Sequence, residues 1–167
     1  MLVVEAGPLS SHVSAGGNSN QLVVFCLEEQ HYALRLSAVA QIVRMVEITP
    51  LPKAPEIILG VVNIRGQVIP VFHIRRRFHL PERDIGLSDH LIVAHTARRT
   101  VALVADAVIG VVARGDEDLA SVERILPGLE YVEGIMKLDD GLVFIHDLDT
   151  FLSLEEEATM EKALEPA

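Results

Sequence analysis

The stretch Gly60-Val61-Val62-Asn63-Ile64-Arg65-Gly66-Gln67-Val68-Ile69-Pro70-Val71 predicts two short strands joined by a tight turn. Most of its apolar residues are β-branched, which favours strands, and Asn-x-Arg-Gly supplies the residue types that tight turns require. Residues 49–55 precede it and contain three prolines, which lack the backbone N–H donor. We therefore predict a β-hairpin that is entered from an irregular, proline-containing loop.

A second hairpin is predicted closer to the N-terminus. Residues 22–27 form an apolar run of strand length, residues 28–30 are polar, and residues 32–36 again suit a strand. The first twenty residues are rich in Gly and Ser and predict a flexible leader. The ordered part of the chain is therefore expected to begin at about residue 21.

Two helices are predicted between and after the strands. Ser153 followed by Glu156 forms a possible capping box, so residues 153–167 are expected to be a C-terminal helix or tail that lies on the second half of the chain. A shorter helix is expected after Ser37, because three apolar residues that follow it have the spacing of one helical face. Those residues are Val39, Ile42 and Val43.

The chain contains an internal repeat, which is its most informative feature. Residues 21–44 align without a gap on residues 90–113 when they are moved by 69 positions. A second move, by 74 positions, aligns residues 60–74 with residues 134–148. Chance alignment of two valine-rich stretches remains an alternative, but two blocks in the same order favour a true repeat.

The repeat predicts an all-β domain at residues 21–152, made of two similar halves at about 21–80 and 88–152. Each half is expected to supply about five short strands. Small barrels are the predicted solution, because closing a sheet removes its unpaired edges. The two offsets differ, so the second half has a longer central loop, at about residues 115–133.

Composition excludes several classes of protein. The formal net charge is −10, which argues against nucleic acid or an anionic membrane as the main partner. Cys26 is the single cysteine and fits a reducing compartment. The longest apolar run, residues 101–113, is interrupted by Asp106 and is too short to span a bilayer. We therefore expect a cytoplasmic protein without direct membrane insertion.

No motif for catalysis, a cofactor or a metal is found in the sequence. Cys26 lies inside an apolar run, and none of the common glycine-rich nucleotide or nucleophile motifs occurs. His90 and His95 share a predicted strand but point to opposite faces, which disfavours a metal site. The basic residues form one cluster, either a solvated face or a patch that complements an acidic partner. That cluster is Arg65, Arg75, Arg76, Arg77 and Arg83.

Residues 48–55 together with residues 60–71 resemble the CheW family, whose signature is a proline-punctuated loop followed by G-V-x-N-[LI]-R-G-x-[VI]-[VI]-P. The resemblance extends over about residues 20–154. It implies two intertwined five-stranded, SH3-like barrels without an active site or cofactor. It also implies a chemotaxis adaptor with two partners: the regulatory domain of a CheA-type histidine kinase, and the hairpin tip of a chemoreceptor that lies in an apolar groove. The protein would then be associated with receptor arrays.

The resemblance also assigns candidate partner-binding residues. The Asn-x-Arg-Gly turn matches Asn63, Arg65 and Gly66, and the family's arginine at that turn is important for coupling. Val39, Ile42 and the repeat-related Val108 match the receptor groove, with plain core residues as the alternative interpretation. Two positions depart from the family: Gln41 replaces a frequent Glu, and His73 replaces a usual Asp and could add pH sensitivity.

Two other functions stay open at this point. An adaptor of a non-flagellar chemosensory pathway, controlling pili or gene expression, would have the same sequence features. A ligand-binding or enzyme domain built on a double barrel would need a cleft with convergent polar groups, which the sequence does not supply.

Overall fold

The computed structural model describes residues 21–113, 119–120, 132–138, 141–151 and 153–165. Strands dominate these residues, as predicted, and both predicted hairpins are present. The strands are β1 (Gln21–Leu27), β2 (Gln30–Arg35), β3 (Val39–Arg44), β4 (Ile58–Ile64), β5 (Gln67–Phe72), β6 (His90–His95), β7 (Thr100–Ala105), β8 (Ala107–Ala113), β9 (Leu119–Ala120), β10 (Val132–Leu138) and β11 (Gly141–His146). The helices are α1 (Ile74–Arg77) and α2 (Leu154–Leu164), with 3-10 turns at Leu36–Ala38 and Leu148–Thr150.

The strands form two sheets that exchange segments between the two halves of the chain. Sheet 1 has the order β8-β1-β2-β11-β10-β9, and sheet 2 has the order β3-β6-β7-β5-β4. The all-β class with two SH3-like barrels is confirmed. The expectation that residues 21–80 and 88–152 each build one barrel is wrong, because each sheet takes strands from both halves. The turn Leu36–Ala38 and the single residue Asp106 each carry the chain from one sheet into the other.

The repeat is present in three dimensions. One apolar cluster within sheet 2 consists of Val62, Ile69, Val71, Leu91, Val93 and Ala102. The cluster within sheet 1 consists of Met136, Val143, Ile145, Leu22, Val24 and Ala33, which are the same six positions moved by 74 or 69 residues. Each barrel interior is therefore built from equivalent positions, half from each end of the chain.

A third and larger apolar cluster, called the shared core below, joins the two sheets. It includes Val23 and Phe25 of β1 together with Phe72 of β5 and Ile92 of β6, all at most 2% exposed. An aromatic group continues it: Tyr32 stacks on the ring of His146, with ring centroids 4.9 Å apart. Burial raises the pKa of Tyr32 to about 12. The two barrels therefore share one continuous apolar interior.

The helix expected after Ser37 is not formed, and β3 takes its place. β3 pairs with β6, and a bulge interrupts the register between Val39 and Gln41. Residues an odd number of positions apart normally face opposite sides of a strand. The extra residue of the bulge shifts this alternation by one position, so the side chains of Val39 and Ile42 both enter the shared core. A bulged strand thus imitates the three-residue spacing of a helix.

The C-terminal helix is confirmed. The Ser153 side chain accepts a hydrogen bond from the Glu156 N–H at 3.0 Å, and the Glu156 carboxylate accepts one from the Ser153 N–H at 2.9 Å. This is the capping box that the sequence predicts. The predicted leader, residues 1–20, and most of the predicted loop at 115–133 lie outside the described residues.

Candidate partner-binding surfaces

The β4–β5 turn presents three of the predicted partner-binding residues to solvent. Arg65 and Gly66 are the two turn residues and have φ angles of 53° and 84°, as a type I′ hairpin requires. The Gly66 N–H donates to Oδ1 of Asn63 at 2.8 Å, which fixes the turn. All three residues are exposed. The arginine is thus carried on a rigid turn, and within the described residues no ion pair of its side chain is found.

Two residues that the sequence did not single out extend this surface. Val68, on β5, is 58% exposed. Arg98, in the β6–β7 turn, is also exposed. Because β5 and β7 are parallel neighbours, the turns that precede them lie at the same end of sheet 2. We call this end, with Asn63, Arg65, Gly66, Val68 and Arg98, the basic end. Only the strand pairing could have shown that Arg98 belongs to it.

The residues expected to line a receptor groove lie mostly in the interior. Ile42 and Val108 have no exposed surface, and Val39 is 9% exposed. All three belong to the shared core, which is the alternative interpretation that the sequence left open. Gln41 is half-buried on β3, an edge strand of sheet 2. Of these four residues, Gln41 has the most surface to offer a partner.

The arginine cluster is mostly an internal structure. Arg75 is 7% exposed and donates to both carboxylate oxygens of Asp106 at 2.6 Å. It also bonds the carboxylate of Glu28 and the carbonyl of Pro81. We call Arg75, Asp106 and Glu28 the ionic clasp. It joins the β1–β2 turn of sheet 1 to α1 and to the β7–β8 connection, so this arginine belongs neither to a solvated face nor to a partner-binding patch.

Arg83 extends the clasp to the segment between the two halves. Its guanidinium donates to Asp89 at 2.6 Å and to Asp106 at 2.6 Å. Burial alone would raise the pKa of both carboxyls. The hydrogen bonds from Arg83, and for Asp106 also those from Arg75 and the Glu28 N–H, outweigh burial and hold both pKa values below 3.8. These carboxylates therefore stay charged at neutral pH.

The remaining two arginines of the cluster are also paired. Arg76 binds Glu82 at 2.8 Å, and Arg77 binds Glu156 of α2 at 2.7 Å. Beside them, Nδ1 of His73 accepts a hydrogen bond from the Arg76 N–H at 3.4 Å. Burial and the charge of Arg76 lower the pKa of His73, so it is neutral at pH 7. Of the five arginines, Arg65 is the one placed to meet a partner.

Neither a metal cluster nor a membrane-spanning helix is found in the part of the chain that the structure describes. No three His, Cys, Asp or Glu residues among them are grouped so that they could hold a metal ion. None of the helices described is long and apolar enough to cross a bilayer.

Comparison with known proteins identifies the family. The model of the CheW-like domain matches residues 21–156. The chemotaxis protein CheW of Rhizobium meliloti (strain 1021) is 28% identical over 149 residues, covering 88% of this chain and 95% of the relative. CheW of Treponema pallidum (strain Nichols) is 27% identical over 142 residues, covering 81% and 84%. The crystal structure of the scaffolding protein TtCheW from Thermoanaerobacter tengcongensis matches with a TM-score of 0.75 and 29% identity, covering 83% of this chain and 95% of that one. This chain belongs to the CheW-like family.

Proposed function

We propose that the basic end of sheet 2 is the surface that binds the regulatory domain of a CheA-type kinase. As a member of the CheW-like family, the chain is an adaptor that couples chemoreceptors to CheA. The observation that carries the finer assignment is the turn arginine: Arg65 is exposed on a type I′ turn, beside the exposed Val68. Arginine is one of the residue types that are enriched in the hot spots of protein interfaces.

Electrostatics supports a specific, oriented contact at this end. The chain carries a net charge of −10, yet the basic end displays Arg65 and Arg98 together. A local positive site on an acidic protein steers an acidic surface toward that site and disfavours other approaches. The kinase surface that docks here is therefore expected to be acidic, with an apolar seat for Val68.

The receptor contact requires a separate surface. Since Val39, Ile42 and Val108 lie in the shared core, we assign them a supporting role beneath the groove and assign direct contact to Gln41. A receptor helix in a groove between the barrels would use apolar anchors, and an amide at Gln41 offers a neutral hydrogen-bonding group there. Receptor and kinase could then bind at the same time, which is what an adaptor requires.

The experiment that tests the kinase assignment is a calorimetric titration of the full chain with the CheA regulatory domain of each chemosensory pathway in the genome. We expect Arg65→Ala to weaken binding to one such domain by about tenfold, as truncation of an interface hot spot does. Lys162→Ala, which removes an exposed cation from α2, is the matched control and should bind as the parent chain does. Equal affinity of Arg65→Ala and the parent for every kinase domain would refute the assignment.

A further inference from the structure

The two junctions between the barrels are equivalent under the repeat but are closed in different ways. At the first junction the ionic clasp joins Glu28, Arg75 and Asp106. At the second junction the repeat places Ala97 where Glu28 stands and Asp149 where Arg75 stands. The Ala97 N–H donates to Oδ1 of Asp149 at 2.6 Å, as the Glu28 N–H donates to Asp106, but no arginine stands at the position of Arg75.

The second junction contains a cavity that α2 helps to close. The cavity has a volume of about 110 Å³. Its walls include Val101 and Leu148 from the barrels, and Ser153 and Glu157 at the beginning of α2. The C-terminal helix therefore covers the junction that lacks the clasp. We call the surface beneath it the α2 seat.

One buried methionine and three ion pairs hold α2 on this seat. Met160 is fully buried and enters the shared core. Arg77 binds Glu156 at 2.7 Å, and Arg99 binds both Glu157 at 3.2 Å and Glu161 at 3.1 Å. The seat thus accepts the apolar side chain of Met160, and its two guanidinium groups bind carboxylates of the same helix.

The attachment of α2 is shallow. Met160 is the one fully buried side chain among the described residues of α2, while Leu164 is half-buried against the shared core. Glu155, Lys162 and most of the remaining surface face solvent. A helix of 11 residues is marginally stable by itself in water, so its contacts with the seat hold both its position and its fold. Loss of a few contacts should therefore release the whole helix.

We propose that α2 is an internal, displaceable occupant of a helix-binding site, and that an acidic amphipathic helix of a partner protein binds this seat in its place. The charges of the seat determine which helix it binds. Arg77 and Arg99 require carboxylates at the spacing of Glu156, Glu157 and Glu161. The shared core requires an apolar side chain at the position of Met160. The seat adjoins the basic end, since Arg98 lines the cavity next to Arg99, but Arg77 and Arg99 differ from Arg98 because they are already paired with carboxylates of α2. The attached α2 keeps the seat closed until a helix with better contacts competes for it.

The test measures binding of a fluorescein-labelled peptide with the sequence of residues 153–165 to the full-length chain, by fluorescence anisotropy. The double variant Glu157→Lys/Glu161→Lys reverses the charges that face Arg99 without changing the buried Met160. We expect its affinity for the peptide to exceed that of the parent chain by at least about tenfold, because the internal competitor is released. The control Glu155→Lys/Glu165→Lys makes the same change of charge at exposed positions and should bind as the parent does.

A reversal of Arg99 separates the proposed seat from a general loss of structure. Adding Arg99→Glu to the Glu157→Lys/Glu161→Lys variant restores opposite charges between the seat and α2, but not between the seat and the peptide. We expect the amide protection of α2 in hydrogen exchange to return and peptide binding to fall to the level of the parent. Equal peptide affinity of the double variant and the control would overturn the proposal. Concentration-dependent dimers of the double variant, with protected α2 amides, would also overturn it and assign the seat to a second copy of the chain.

Discussion

Replacement of Arg75 by methionine tests whether the ionic clasp holds the two barrels together. Methionine keeps most of the volume and the apolar stem of arginine but removes the guanidinium. The Arg75 side chain is 8% exposed and that of Asp106 is 21% exposed, so the pair is largely shielded from water. Removing one partner leaves the Asp106 carboxylate in a poorly solvated position, which is costly.

The expected cost follows from what Asp106 retains. Breaking a buried ion pair by removing one partner destabilises proteins by about 3–5 kcal/mol. Asp106 keeps its hydrogen bonds from Arg83 and from the Glu28 N–H, so we expect the lower end, about 3 kcal/mol. For a chain of this size that corresponds to a fall in melting temperature of roughly 6–12 °C.

Thermal and urea unfolding at pH 7 measure this change. Arg76→Met is the matched control: it removes the neighbouring arginine, whose side chain is 41% exposed and whose partner Glu82 is 58% exposed. Exposed pairs contribute little, so the control should melt within about 2 °C of the parent chain. Equal destabilisation by the two substitutions would show that the clasp has no special role in joining the barrels.

The effect of Arg75→Met should also depend on pH. The pKa of Asp106 in the folded chain lies below the ordinary value of 3.8, so folding favours its charged form. A carboxyl with a lowered pKa contributes its stabilisation above the unfolded pKa and loses it as pH falls through the folded pKa. The difference between parent and variant should therefore be full at pH 7 and should shrink below about pH 4. A difference that persists unchanged into that acidic range would contradict the electrostatic explanation.

Three further substitutions have defined expected results. Val39→Asp places a charge in the shared core and should unfold the chain at 25 °C, as seen by circular dichroism; a folded variant that has lost only receptor binding would restore Val39 to the contact surface. Gly66→Ala should cost about 1 kcal/mol in urea unfolding, because its φ is 84° while the space around it is open; no loss would mean that the turn changes its type. Ser153→Ala removes the cap of α2 and should raise the hydrogen-exchange rates of its first turn, by an amount consistent with about 1 kcal/mol; unchanged rates would show that the seat alone holds the helix.

The local features of the fold follow from short-range patterns. The two hairpins could be predicted because β-branched runs and turn residues determine local geometry over only a few positions. The capping box of Ser153 and Glu156 is equally local, since both of its hydrogen bonds lie within one helical turn. The helix expected after Ser37 was wrong because a β-bulge requires a partner strand, and the residues of β6 that pair at the bulge lie more than fifty positions further along the chain.

The candidate site could be predicted only in part, for a similar reason. The exposed turn of Asn63, Arg65 and Gly66 is local, and its position at a hairpin tip follows from the sequence. In sequence, Arg75 cannot be told apart from the exposed arginine that follows it. It is buried because its guanidinium pairs with Glu28 and Asp106, which lie 47 and 31 positions away along the chain. The partners of a long charged side chain depend on tertiary packing, which a basic run of sequence does not specify.

The sequence by itself determined the two hairpins, the two-fold repeat and the turn that carries Arg65, because all of these depend on side-chain periodicity and backbone preference over short distances. Only the tertiary structure decided which strands pair. Equivalent strands of the two halves have the same apolar pattern, so β1 and β2 could satisfy their backbone hydrogen bonds with strands of either half. The short connections at Leu36–Ala38 and Asp106 lead the chain into the opposite sheet, and the shared core takes apolar side chains from both halves of the chain.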